Sequence, residues 1–200
     1  MVLISSLDEL RAGKVLQGEK IAMRVVTGTI RDQTSDQVLY LLGSDTGILL
    51  PRCEELEIEG DAVAVSGPPA NLPRLRVRLE DAAVQTTGDR WYRELIQTEI
   101  TQFVGSIPPG RAPDHFHLYE EMLCILKGSG FLWAGKTKTP IGPGSCIYLP
   151  RRQVHCVENT TSDELRLLGV FYPAGSPAVR YGVDQQPDSA PRERKLERRE

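Results

Sequence analysis

Short apolar runs, each closed by glycine, proline or acidic residues, recur along most of this chain. In the first half they are IAMRVVTGTI, VLYLLG, GILLP, AVAVSG and the run within NLPRLRVRLEDAAV. Their β-branched content, and turn sequences such as SDTG and IEGD between them, predict five strands. From Trp91 onward come WYRELI, EITQFVGSI, EMLCILKG, GFLWAG, SCIYLP, HCVENT and ELRLLGVF, which predict seven more. No convincing helical pattern interrupts this second series. SSLDEL, near the start, reads as one helical turn capped by a serine. The pattern therefore predicts an all-β protein: a small Greek-key barrel over residues 1–85 and a larger sandwich or closed barrel over residues 91–173. Residues 86–90 are the expected linker. Residues 174–200, ending in PRERKLERRE, hold few apolar side chains and are the expected mobile charged tail.

Composition narrows this picture without redirecting it. The chain has 200 residues, 40% of them hydrophobic and 26% charged, with a formal net charge of −3. These values fit a soluble globular protein and give no general attraction for polyanions. No apolar run is long enough to span a bilayer, and Asp8 and Glu9 break the short apolar start before it resembles a signal peptide. A cytoplasmic protein is expected. Cys53, Cys124, Cys146 and Cys156 form no CxxC pair and are expected to be small buried thiols without disulfides.

Histidine brings in the chemistry. There are three, and two stand in DHFHLYEEM at residues 114–122. On a strand, residues two apart share a face, so His115 and His117 point one way and Phe116 the other. Glu121 lies an even number of residues from both histidines and joins that face; Glu120 does not and is expected to be a solvated charge. His155, in PRRQVHCVEN, opens a later strand that a closed barrel can bring alongside. An isolated HxH is more often an exposed pair. A carboxylate and a third histidine at fitting spacings favour a metal site for iron, manganese, zinc, nickel or copper.

Those residues resemble the cupin superfamily. Gly110, His115, His117, Glu121 and Gly128 follow its first signature, and Gly144, Pro150, His155 and Asn159 its second. The resemblance covers roughly residues 90–173 and implies a jelly-roll barrel with a 3-His/1-Glu divalent metal site. Two departures stand out: four residues rather than five separate Gly110 from His115, and Arg152 occupies the place of a signature glycine. The second puts a non-glycine where positive φ is expected. The first half resembles an OB-fold through Val25–Gly28–Ile30, Tyr40-Leu41-Leu42 before Asp45-Thr46-Gly47, and Gly60-Asp61.

The cupin resemblance implies a small-molecule ligand or substrate and a homodimer. With iron it implies dioxygenase chemistry, with zinc or manganese an isomerase or lyase; a non-catalytic sensor is the alternative. Tyr119 shares the histidine parity and is the candidate for handling a proton or orienting a ligand. Cys156 and Cys124 are expected to face away from the site. Trp91, Phe103, Trp133 and Phe171 are expected in the core, and Arg151 and Arg152 in a solvated turn. Nucleic-acid binding by the first half is disfavoured, because it offers a single aromatic residue, Tyr40, and an acidic excess. The basic stripe Arg74, Arg76 and Arg78 is the one feature favouring it.

Overall fold

The computed structural model describes residues 1–31 and 34–182. The part of the predicted tail beyond Gly182 lies outside the described residues. Each predicted strand forms. Leu7–Arg11 is the short helix, and Ser6 and Glu9 cap it reciprocally: Glu9 N donates to Ser6 Oγ at 3.2 Å and Ser6 N to Glu9 Oε2 at 2.9 Å. IEGD is not a turn between strands. Leu56–Ser66 runs straight through it, and the register opposite Thr27 and Gly28 jumps from Asp61 to Ile58. Gly60 sits in that bulge at φ 72°, so the glycine marked an irregularity inside one strand.

The strands build three antiparallel sheets. A large sheet has the order 3–6, 145–149, 120–127, 165–172, 101–107, 90–97, 85–87. A facing sheet has the order 137–141, 130–134, 155–159, 115–116, 181–182, with Gly110–Arg111 also on 155–159. Between them lies a core that includes Phe103, Leu123, Ile125, Leu132, Ile147, Leu149, Val157, Leu167 and Phe171. These are alternate residues of their strands, as the strand period requires. Thr137–Ile141 escaped the sequence pattern because it is a polar edge strand carrying Pro140, a residue tolerated only at edges.

The third sheet comes from the first half, in the order 16–17, 22–30, 56–66, 37–41, 46–50, 75–78. Its two end strands do not pair with each other among the described residues, so the ladder is open and has six strands rather than the five of the expected barrel. The OB-like assignment gains no support from it. One face, with Met23, Val38, Tyr40, Val63 and Val65, packs on the outer face of the large sheet at Val104, Met122, Cys124, Cys146, Tyr148, Leu168 and Val170. Each such large side chain contributes roughly 1.5–3 kcal/mol when fully buried. The large sheet is thus covered on both faces. Cys146 and Tyr148 accordingly face the first half.

Burial on both faces also corrects Glu120. It does face away from Glu121, but that side is an interface, and Glu120 is fully buried. Its carboxylate accepts the backbone N–H groups of Glu19 at 2.8 Å and Lys20 at 3.1 Å. Hydrogen-bonded strands also cross the predicted domain boundaries. Leu3–Ser6 pairs with Ser145–Leu149 in the large sheet, and Gln85–Thr87, reaching into the predicted linker, pairs with Arg90–Tyr92. Tyr181–Gly182, inside the predicted tail, pairs with His115–Phe116.

Candidate metal centre

The site bridges the two facing sheets. His115 and His155 are direct cross-strand partners on strands 115–116 and 155–159. Glu121 reaches in from strand Glu120–Lys127 of the large sheet, where it lies opposite Leu149 and Phe171. His117 stands between, because strand His115–Phe116 ends and the chain crosses from one sheet to the other. The run DHFHLYEEM is therefore two strands, not one, yet the parity expected for His115, His117 and Glu121 survives the crossing.

The second signature supplies the turn beneath His117. Arg152 N donates to His117 O at 2.7 Å. Arg152 has φ 62°, the left-handed conformation that the signature's glycine would adopt without strain. Asn159 is buried and fully bonded: Nδ2 donates to Ile107 O and Asp163 O, and Oδ1 accepts from Thr161 N and Oγ1. Gly128, at φ 81°, has no room for a side chain, since a Cβ there would lie 2.8 Å from Leu165 Cα.

All three imidazoles turn the same kind of nitrogen inward. His115 Nδ1 lies 3.0 Å from Pro113 O, His117 Nδ1 3.0 Å from Val179 O, and His155 Nδ1 2.8 Å from Gln153 O. A carbonyl can only accept, so these contacts place a proton on each Nδ1 and leave Nε2 as a lone-pair donor. One potential ligand atom from each of the three histidines lies within 4.8 Å of the others. Glu121 Oε2 is 3.2 Å from His155 Nε2 and 3.9 Å from His117 Nε2, yet it has no partner in hydrogen-bond geometry. A buried carboxylate oxygen facing imidazole lone pairs is unfavourable unless a cation joins them. The donor set therefore fits a divalent transition metal.

The proton affinities follow the same crowding. Burial, then the fields of His155 and His117, push His115 down to about 3. Burial also lowers His117, against the pull of Glu121. For His155 burial works downward, but the contact with Glu121 prevails and raises it. For Glu121 burial works upward, but His155 and His117 prevail and lower it. Of the three histidines, His155 is therefore the one whose proton affinity the cluster increases.

Tyr119 stacks on His117 at 4.8 Å, and its hydroxyl donates to Ser176 O at 2.8 Å and Val179 O at 3.2 Å. These contacts suit an orienting role: the phenol braces the ring and the backbone that holds it. Phe103 and Phe171 are buried, 4.8 Å apart, and line a cavity of about 90 Å³ above the histidines together with Trp91 and Tyr92. Trp91 is half-buried. Trp133 is not core: it lies half-exposed between Arg111 and Lys138, 4.2 and 4.6 Å from its ring. Cys156 is buried, its Sγ 3.3 Å from Arg111 Nε, and Cys124 lies in the outer-face core 3.7 Å from Cys146. Cys53, expected to be buried, is exposed. In the basic stripe, Arg74 binds Glu54 and the carbonyl of Glu55, and Arg78 pairs with Glu80. Arg151 and Arg152 are exposed.

The match to a family model described as a cupin domain spans residues 103–171, the segment that holds all four candidate ligands. Residues 103–171 form a cupin domain. Auxin-binding protein 1 of Arabidopsis thaliana is 32% identical over 83 residues, 36% of this chain. The chain spans 42% of the length of that curated relative. An IolB-like protein from Salmonella typhimurium LT2 superposes with a TM-score of 0.65 at 14% identity, covering 90% of each chain. A variant of Bacillus subtilis oxalate decarboxylase OxdC gives 0.61 at 11% identity, covering 91% of this chain and 74% of its own. At these identities the likeness is one of fold. It extends beyond the cupin domain, since nine-tenths of the chain is covered, so much of the N-terminal sheet belongs to the shared architecture. No helix among the described residues is long and apolar enough to cross a membrane.

Two residues that line the cavity, Arg90 and Arg180, escaped the sequence reading. Arg90 falls in the expected linker and Arg180 in the expected tail. The run AVRYG, apolar and aromatic within a polar stretch, is the available signal that residues 178–182 need a partner.

Proposed function

We propose that the protein is a metal-dependent cupin protein. His115, His117, His155 and Glu121 hold one divalent ion, and the cavity above them receives a small metabolite. The observation that carries this reading is the three Nδ1–H groups fixed on backbone carbonyls, which leaves three Nε2 lone pairs beside an unpartnered buried carboxylate. When bound, a divalent ion supplies Lewis acidity toward a ligand oxygen. The protein's own residues do the rest. The carbonyls of Pro113, Gln153 and Val179 fix the rings, Tyr119 braces His117, and a largely apolar wall lines the space above them. Elemental analysis of purified wild type and His115→Ala tests the site. One metal per chain, lost in the variant, is expected; a metal-free wild type after growth with added metal refutes it.

A second reading, ligand sensing without turnover, is favoured by the lining of the cavity. Outside the four candidate ligands, the described lining offers no carboxylate or imidazole to move a proton. Oxygen consumption or substrate conversion by the metal-loaded protein favours the enzyme; ligand binding without either favours the sensor.

A further inference from the structure

Two guanidinium groups share the cavity with the histidine cluster. Arg90 starts strand Arg90–Gln97, and Arg180 lies in the segment that follows the last long strand, Leu165–Tyr172. Both line the cavity that His115, His117, His155 and Glu121 also line. Neither is well neutralised. The Arg90 side chain is only 18% exposed, and its ion-pair partner Asp89, at 4.0 Å, is 78% exposed. Arg180 has no ion pair or hydrogen bond among the described residues. Burial, then the field of Arg180, lower the hold of Arg90 on its proton, as like charges in a poorly hydrated space require.

Arg180 cannot simply swing away with its backbone. On one side, Val179 O accepts from His117 Nδ1 at 3.0 Å and from the Tyr119 hydroxyl. On the other, Tyr181 stacks on Phe116 at 5.5 Å and its strand pairs with His115–Phe116. The histidine cluster and the arginine that faces it are thus held by the same segment. The remaining wall includes Tyr92, Phe103, Ile107, Leu123, Leu167 and Phe171.

Two cations with no buried acidic partner among the described residues, set over an apolar wall, define a ligand. We propose that the cavity selects a small carboxylate with an apolar body. Arg90 and Arg180 hold the carboxylate, and the other end of the molecule faces the His–Glu cluster. The last clause rests on the metal reading above; the anion site does not. Guanidinium forks match the planar, two-oxygen geometry of a carboxylate, and the apolar wall disfavours a bare inorganic anion. A volume of about 90 Å³, at roughly 10–15 Å³ per water-sized occupant, admits a body on the order of six to nine non-hydrogen atoms.

The test is calorimetric titration of the full-length protein, at low salt, with pentanoate and its uncharged isostere pentanamide. Wild type, Arg90→Gln and Arg180→Gln are compared, with metal content measured on each sample. Wild type is expected to prefer pentanoate by about tenfold or more, and each variant to lose about that factor for pentanoate alone. Equal binding of the two probes by wild type, no binding of pentanoate, or full pentanoate affinity in both variants overturns the proposal. The wild-type comparison needs no variant, so a variant that fails to fold leaves it decisive. Discrimination in a protein that binds no metal would refute the metal reading and keep the anion site. One metal per chain without discrimination would do the reverse.

Discussion

Replacing Glu120 by alanine probes how the two halves of the chain are joined. The Glu120 carboxylate is fully buried and accepts the N–H groups of Glu19 and Lys20 at 2.8 and 3.1 Å. Those residues form the turn between strands 16–17 and 22–30, closed by Gly18 N donating to Ile21 O at 2.9 Å. The turn fits tightly, since a Cβ on Gly18 would lie 2.7 Å from the Tyr148 ring and 2.9 Å from the Glu120 carboxylate. Two hydrogen bonds to a charged acceptor are worth roughly 1.5–3 kcal/mol each, and relief of the buried charge returns part of that. A net loss of about 2–4 kcal/mol follows, or a fall in Tm of about 5–15 °C at this chain length. Urea and thermal unfolding followed by circular dichroism measure it. Glu120→Gln keeps an acceptor oxygen and should lose less than half as much. A loss below about 0.5 kcal/mol for Glu120→Ala would refute the assignment of Glu120 as the clamp on this turn.

Arg152→Gly relieves the left-handed conformation at φ 62° and should stabilise the protein by about 0.5–1 kcal/mol, read as a higher Tm. Asn159→Ala removes a buried side chain that satisfies two carbonyls and two donors. It should cost about 2–4 kcal/mol in denaturant unfolding while leaving the metal stoichiometry unchanged. Metal affinity should fall with pH at about one proton per ion rather than three. Burial lowers His115 and His117, whereas Glu121 raises His155, so His155 is the first of the three to take up a proton in competition with the metal as pH falls. The decline should therefore begin above the ordinary histidine range; competition titrations from pH 5 to 8 check the slope, and a slope near three would contradict it.

The histidine and glutamate positions were legible because strand parity is a local rule. It placed His115, His117 and Glu121 on one side and Cys124 and Cys156 on the other, even though the chain changes sheets between them. The strain at Arg152 was legible for the same reason: a glycine was missing from a turn that needs positive φ. What covers a face is not local. Parity turned Glu120 away from the histidines, but nothing near it in sequence announced that residues 19 and 20 would meet it there. The same limit hid Arg90 and Arg180. Each lies in a short stretch whose own composition reads as a connection, and each becomes a wall of the cavity only through pairing with distant strands. IEGD misled in a smaller way, since glycine marks a bulge as readily as a turn.

X-ray absorption on the metal-loaded protein addresses the cluster most directly. Three imidazole nitrogens and a carboxylate oxygen at about 2.0–2.2 Å are expected, with one imidazole missing from the spectrum of His155→Ala. A bound ion without imidazole scattering, or an unchanged spectrum in His155→Ala, would contradict a centre built on His115, His117, His155 and Glu121.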